Sequence, residues 1–120
     1  MTKKPIVVKI GIASEAELRQ RTIEIAAGRR RRRKGEPRVW FTSLRAAAEV
    51  LSEKNRELLR TLAEEEPESL KELAELTGRA ESNLSRTLKT LAGYGLVRLE
   101  RTDKHVRPMA RPMEFEIRVG

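Results

Sequence analysis

The chain has 120 residues, enough for one domain, or one domain with a short appended unit. Only 38% of them are hydrophobic and 3% aromatic, so Leu and Ala must supply most of the packing, which favours helices. Twenty-six Lys and Arg against 18 Asp and Glu leave a net charge of +8, which attracts polyanions, and the lack of cysteine excludes disulfides and thiolate metal sites.

Residues Pro5 to Ile12 read as a strand, rich in β-branched residues. Ser14 and Glu17 form a capping box for a helix from Glu15 to Ala27, ended by Gly28. Arg29, Arg30, Arg31, Arg32, Arg33 and Lys34 follow as six consecutive cations, whose mutual repulsion predicts a solvated linker in the free protein. Arg38 to Phe41 reads as a short strand that pairs with the first. Its Val39-Trp40-Phe41 cluster packs in the core or, as the alternative, forms a partner-binding patch. Thr42 or Ser43 caps a helix over about Leu44 to Leu51, and Ser52 caps another over Glu53 to Ala63, with Leu58, Leu59 and Leu62 inward. The Glu64-Glu65-Glu66-Pro67 break ends it. Two further helices are predicted over Leu70 to Leu76 and Ala80 to Leu91. Leu96 to Arg101 and Met113 to Val119 alternate apolar and charged residues, as a two-stranded antiparallel wing would, around a polar loop from Thr102 to Pro112. The chain has no internal repeat. The expected division is residues 1–35, a strand-helix unit with its basic linker, and residues 36–120.

The stretch LKELAELTGRAESNLSRTLK carries a helix-turn-helix pattern. Two steeply crossing helices need a small residue at their contact and a permissive turn, which Ala74 and Gly78 supply. Leu73, Leu76, Leu84, Leu88 and Leu91 recur at helical spacings and are predicted to form the shared core. The fold class expected is therefore mainly α with small β, an α+β winged helix-turn-helix with an N-terminal strand-helix extension. Placing the leucines inward leaves Ser82, Asn83, Ser85, Arg86 and Lys89 outward, as a recognition helix in a major groove requires. In that role Asn83 suits adenine and Arg86 guanine, Ser82 and Ser85 suit bases or phosphate, and Lys89 suits the backbone. A solvated helix face is the bland alternative for any one of them.

The charge is polarised. Glu53 to Glu81 holds nine acidic and five basic residues, whereas Ser82 to Pro112 holds seven basic and two acidic. Within the predicted wing, Arg101, Lys104 and Arg107 are the preferred phosphate or minor-groove contacts. His105, alone in a basic loop, reads as polar surface. The arginine run reads as an arm that follows phosphates or enters an A·T-rich minor groove. A solvated linker and a contact with RNA or an acidic protein stay open for it.

From Glu36 to Val119 the order of elements resembles winged-helix transcriptional regulators of the MarR/ArsR-like kind. The residues that carry the resemblance are SLKELAELTGRAESNLSRTLKTLAGYGLVRLER, in particular Ser85-Arg86, Leu91 and Gly95-Leu96-Val97. The stretch FTSLRAAAEVLSEKNRELLRTLAEEEPESLKELAELTGR is similar to a group of small predicted regulators of archaea and bacteria, often paired with a small toxin and thought to act as antitoxins. The resemblance implies a DNA-binding regulator. Long flanking helices, which in the MarR kind make the dimer and ligand pocket, are missing from this sequence, so a small-molecule sensor is not expected. Residues Pro5 to Ala27 are left for dimerisation or capture of a partner protein.

The function expected is a dimeric, sequence-specific transcriptional regulator of double-stranded DNA, an autoregulating repressor and the antitoxin of a toxin-antitoxin pair. The alternatives are a protein-neutralising antitoxin or an RNA-binding protein in which DNA binding is secondary. An enzyme is not expected, because the chain has one histidine, no phosphate-cradling glycine loop and no carboxylate pair at a working spacing. No cofactor and no metal are expected. With no apolar run of membrane-spanning length and no signal peptide, no membrane is expected as a partner, and the expected location is cytoplasmic.

Overall fold

The computed structural model describes residues 4–31 and 33–119, so Arg32 of the basic run lies outside the described residues. The described chain is mixed α and β, with five helices and five strands. It divides into two compact units, one drawn from Val50–Pro112 with the chain up to Ile6, the other from Val7–Glu49 with the chain from Met113 onward.

The second of these units is built on β1 (Ile6–Ile12), α1 (Glu15–Ala26), β2 (Val39–Phe41), α2 (Leu44–Val50) and β5 (Met113–Arg118). β1 and β2 pair in parallel with Ile10, Gly11 and Ile12 opposite Val39, Trp40 and Phe41. A parallel pair needs a crossover, and α1 with the arginine run supplies it. The Ser14 hydroxyl caps α1 by accepting from the Glu17 backbone N–H at 3.2 Å and donates to Glu17 Oε1 at 3.0 Å. Of the two capping candidates for α2, Ser43 takes the role, its Oγ accepting from the Ala46 N–H at 3.0 Å. Ile10, Val39, Phe41 and Ala47 form the buried apolar centre. Val39 and Phe41 are thus core residues, as the core reading of that cluster expects, while Trp40 is half-buried.

The first unit contains α3 (Glu53–Glu65), α4 (Leu70–Thr77), α5 (Glu81–Gly93), β3 (Arg98–Arg101) and β4 (Val106–Met109). Ser52 and Ser69 cap α3 and α4 through the N–H groups of Asn55 and Glu72. Pro67 is buried beyond the end of α3, where Glu66 takes a left-handed φ of 45° to turn the chain. Leu58, Leu59, Leu62, Leu73, Leu84, Leu88, Leu91, Leu96 and Val97 make the core.

Two expectations are corrected. β3 does not pair with the strand beginning at Met113. It pairs antiparallel with β4, which lies inside the segment expected to be loop, and β5 instead joins β1 to give the sheet order β2-β1-β5. Thr102 closes a tight turn: its N–H donates to the His105 carbonyl at 2.9 Å, and its Oγ accepts from the His105 N–H at 3.2 Å. That turn brings β4 beside β3 at a small loop-closure cost. Pro108 reads as a strand breaker, yet in a two-stranded ribbon a residue without an N–H is tolerated, and it is buried opposite Leu99. Leu76 is the second correction, 47% exposed rather than part of the core. The inward arc of α4 is Leu70, Leu73, Ala74 and Thr77, and Leu76 falls beyond its edge.

Candidate nucleic-acid interface

α4 ends at Gly78, whose φ of 71° is left-handed and whose N–H donates to the Ala74 carbonyl at 2.9 Å. This is the turn angle that a residue with a Cβ resists. α5 follows after Arg79 and Ala80 and packs on α4, burying Leu84, Leu88 and Leu91. Those three leucines set the rotation of the helix and thereby everything on its outer side.

At about 100° per residue, Ser82, Arg86 and Lys89 fall on one stripe opposite the leucines, and all three are exposed. Asn83 and Ser85 lie on opposite flanks of that stripe, about 160° apart around the helix. Ser85 is half-buried and Asn83 exposed. The five residues expected to share a face are thus a central row of three with one residue on each side.

Asn83 is engaged within the protein. Arg79 Nε and Nη2 donate to its Oδ1 at 3.0 and 2.7 Å, and Nη2 also reaches Thr87 Oγ at 3.3 Å. Arg79 was not among the residues singled out from the sequence. Its signal is the spacing of four from Asn83 to Thr87, which puts those two on one side of α5, with a cation just ahead of the helix to reach them.

The N-terminus of α5 differs from those of α1, α3 and α4. Its cap is Ala80, with φ −66° and ψ 142°, and no side chain bonds the N–H groups of the first turn. Glu81 places one carboxylate there, where the helix dipole favours it.

The β3–β4 ribbon projects the second set of cations. Register places Arg101 opposite Val106 and Arg107 opposite Glu100. Neighbouring residues of a strand point to opposite sides, so Arg101 shares the side of Leu99 and Pro108, whereas Arg107 lies on the other side with Glu100. Lys104 sits in the turn between Thr102 and His105 and is exposed, as is Arg101, and Arg107 is half-buried. The ribbon therefore does not gather the three cations on one face.

The basic run belongs to the other compact unit and is held at both ends. Gly28, at φ 75°, lets the chain turn off α1, and the Arg29 N–H donates to the Glu24 carbonyl at 2.9 Å. Arg30 bridges Glu24 at 3.6 Å and Glu36 at 3.9 Å. At the far end Glu36 donates its backbone N–H to the Arg33 carbonyl at 3.2 Å and receives Arg21 Nη2 on Oε2 at 2.6 Å. The Arg21 hydrogen bond, helped by a hydrogen bond from the Arg33 backbone to the carboxylate and by the guanidinium charges of Arg21 and Arg30, lowers the Glu36 carboxyl below its ordinary range. Arg21 is itself buried and lies 5.0 Å from the centre of the Trp40 ring. The expectation of a linker held open by repulsion omitted these two flanking carboxylates. Arg29, Arg31, Arg33 and Lys34 remain exposed.

Among the described residues no helix is long and apolar enough to cross a membrane. No curated protein matches this sequence. A crystal structure of a predicted DNA-binding transcriptional regulator from E. coli is similar over 81% of this chain and 83% of that one, at 22% identity and a TM-score of 0.47. The model of the HVO_A0114 family matches residues 50–117, which span α3 to β5 and hold the whole α4–turn–α5 arrangement, and the chain belongs to that family.

Proposed function

We propose that this protein is a sequence-specific DNA-binding transcriptional regulator of the winged helix-turn-helix kind. The observation that carries this reading is the row Ser82, Arg86, Lys89, uncovered on the side of α5 opposite its buried leucines. A helix laid in the major groove presents such a row to base edges, with the arginine best matched to guanine O6 and N7. The β3–β4 ribbon acts as the wing, its turn bringing Lys104 and Arg101 to phosphate or the minor groove. The exposed cations of the Arg29 to Lys34 run add contacts to phosphate.

In its fuller form the reading is a dimer on an inverted repeat, repressing its own operon. An antitoxin role is favoured by one observation: Val7, Ile23, Ile25, Ile117 and Val119 are all exposed in the unit that contains β1, α1 and β5. Exposed aliphatic side chains of this kind suit a protein partner, whether a second copy or a cognate toxin. Binding of RNA through the arginine run is separated by competition, since α5 fits a B-form major groove and not the narrow groove of an RNA duplex.

The test is footprinting on the protein's own promoter with wild type and Arg86→Ala. The wild type should protect a discrete site and the variant should lose it. An unaltered footprint in Arg86→Ala would refute the assignment of α5 as the reading helix.

A further inference from the structure

Asn83 exposes a carboxamide, which ordinarily offers one acceptor oxygen and two donor hydrogens. That pairing of acceptor and donor is what matches adenine, whose N6 amino group donates and whose N7 accepts. In this protein the acceptor is already used. Arg79 sends two N–H groups to the same Oδ1, from Nε at 3.0 Å and Nη2 at 2.7 Å, so both lone pairs of that oxygen are taken. The contact also fixes which way the amide points, because the Nδ2 group cannot face a guanidinium that carries only donors. Thr87 Oγ, 3.3 Å from the same Nη2, accepts a further bond from the guanidinium. The Asn83 Nδ2 group and the Nη1 group of Arg79, all donors, make no bond among the described residues.

We propose that Arg79 is a specificity-determining residue which converts Asn83 from a reader of adenine into part of a donor-only pair that reads guanine. The inference rests on the DNA-binding function proposed above. Guanine presents two acceptors, O6 and N7, in the major groove, whereas adenine turns its N6 amino hydrogens toward a site that has no acceptor left for them. Discrimination thus has an attractive and a repulsive part, as sharp specificity commonly requires.

The experiment selects binding sites from a randomised duplex library with wild type, Asn83→Ala and Arg79→Ala, then measures affinities for single-base changes in the selected site. Asn83→Ala marks the position that Asn83 reads, as the one where preference flattens. There the wild type should prefer guanine, with adenine at least about fivefold weaker. Arg79→Ala frees Oδ1, and preference at that same position should move toward adenine even if overall affinity falls. Adenine preferred by the wild type, the same base preferred by wild type and Arg79→Ala, or a preference untouched by Asn83→Ala would each overturn the inference and leave the DNA-binding function standing. A library with no enriched sequence would instead bring down that function, and the inference with it. Hydrogen exchange of the Arg79 Nε–H, followed by 15N NMR on the free proteins, checks the contact without any DNA. It should be protected in the wild type and unprotected in Asn83→Ala, and an unprotected wild-type signal would also overturn the inference.

Discussion

Replacing Ala80 separates the stability of α5 from its use. The backbone at Ala80, φ −66° and ψ 142°, already has the extended conformation of an N-cap residue. A side-chain oxygen there can accept from the first-turn N–H groups without any rearrangement, as Ser14, Ser52 and Ser69 do at the other helices. Ala80→Ser should therefore stabilise the protein by about 1 kcal/mol, or roughly 3–6 °C in Tm for a chain of this size. Ala80→Asp should gain a similar amount, reduced somewhat by repulsion from Glu81. If α5 enters the groove N-terminus first, its free N–H groups lie toward a phosphate, and the added carboxylate faces that charge. Two unit charges about 5 Å apart in a partly desolvated setting repel by roughly 1–3 kcal/mol, which lowers affinity about 5- to 150-fold. Thermal melts and titrations of the footprinted duplex read the two effects separately. Ala80→Asp that is more stable and binds DNA as well as the wild type would refute the idea that this end of α5 meets the backbone. Failure of Ala80→Ser to stabilise would refute the premise that its first-turn N–H groups lack a partner.

Three further outcomes are expected. A Cβ at Gly11 would lie 2.5 Å from Trp40 Cζ3 and 2.9 Å from Pro37 Cγ, so Gly11→Ala should cost about 1–3 kcal/mol by overpacking; the single Trp makes fluorescence-detected urea unfolding the assay, and unchanged stability with unchanged emission would contradict the packing. Because the folded Glu36 carboxyl titrates below its ordinary range, its ion pair with Arg21 adds stability that is fully present above the unfolded pKa and lost as pH falls through the lowered folded value. Stability of the wild type should thus decline in acid more steeply than that of Glu36→Gln, and parallel pH profiles would count against the bridge. Changing Arg29, Arg31 and Arg33 together to Gln should reduce the slope of log K against log salt by about 0.9 for each cation that engages a phosphate, while an unchanged slope would assign the run to the protein rather than to DNA.

The helices were legible in the sequence because their signals are local. Ser14, Ser52 and Gly78 punctuate them, and the leucines of α3 and α5 repeat at helical spacing, so each signal acts within a few residues of where it is written. Strand pairing is not local in that sense. Met113 to Val119 alternates as a strand should, but alternation specifies a face and not a neighbour. The sheet in which β5 lies turns on a contact remote from it: Thr102 and His105 close the turn that pairs β4 with β3, and β5 lies on β1. Leu76 shows the same limit at smaller scale. On a helix of eight residues, three leucines and an alanine are compatible with more than one rotation, and only the partner surface chooses between them.

For the candidate site, inward leucines sufficed to place the row of Ser82, Arg86 and Lys89, since rotation of a regular helix carries information from its buried side to its exposed one. Composition does not reveal whether a polar side chain is already in use. Asn83 reads from sequence as a free carboxamide, and Arg30 as one cation among six, until Arg79 and the two glutamates, Glu24 and Glu36, are seen beside them. Both corrections have the same physical form: a charged neighbour removes one of the bonding options that the isolated side chain would have. If Asn83 acts through Arg79, Arg79→Ala and Asn83→Ala should be non-additive in base preference, as expected for groups in direct contact. A double variant whose preference equals the sum of the two single changes would mean that Arg79 and Asn83 act on DNA independently.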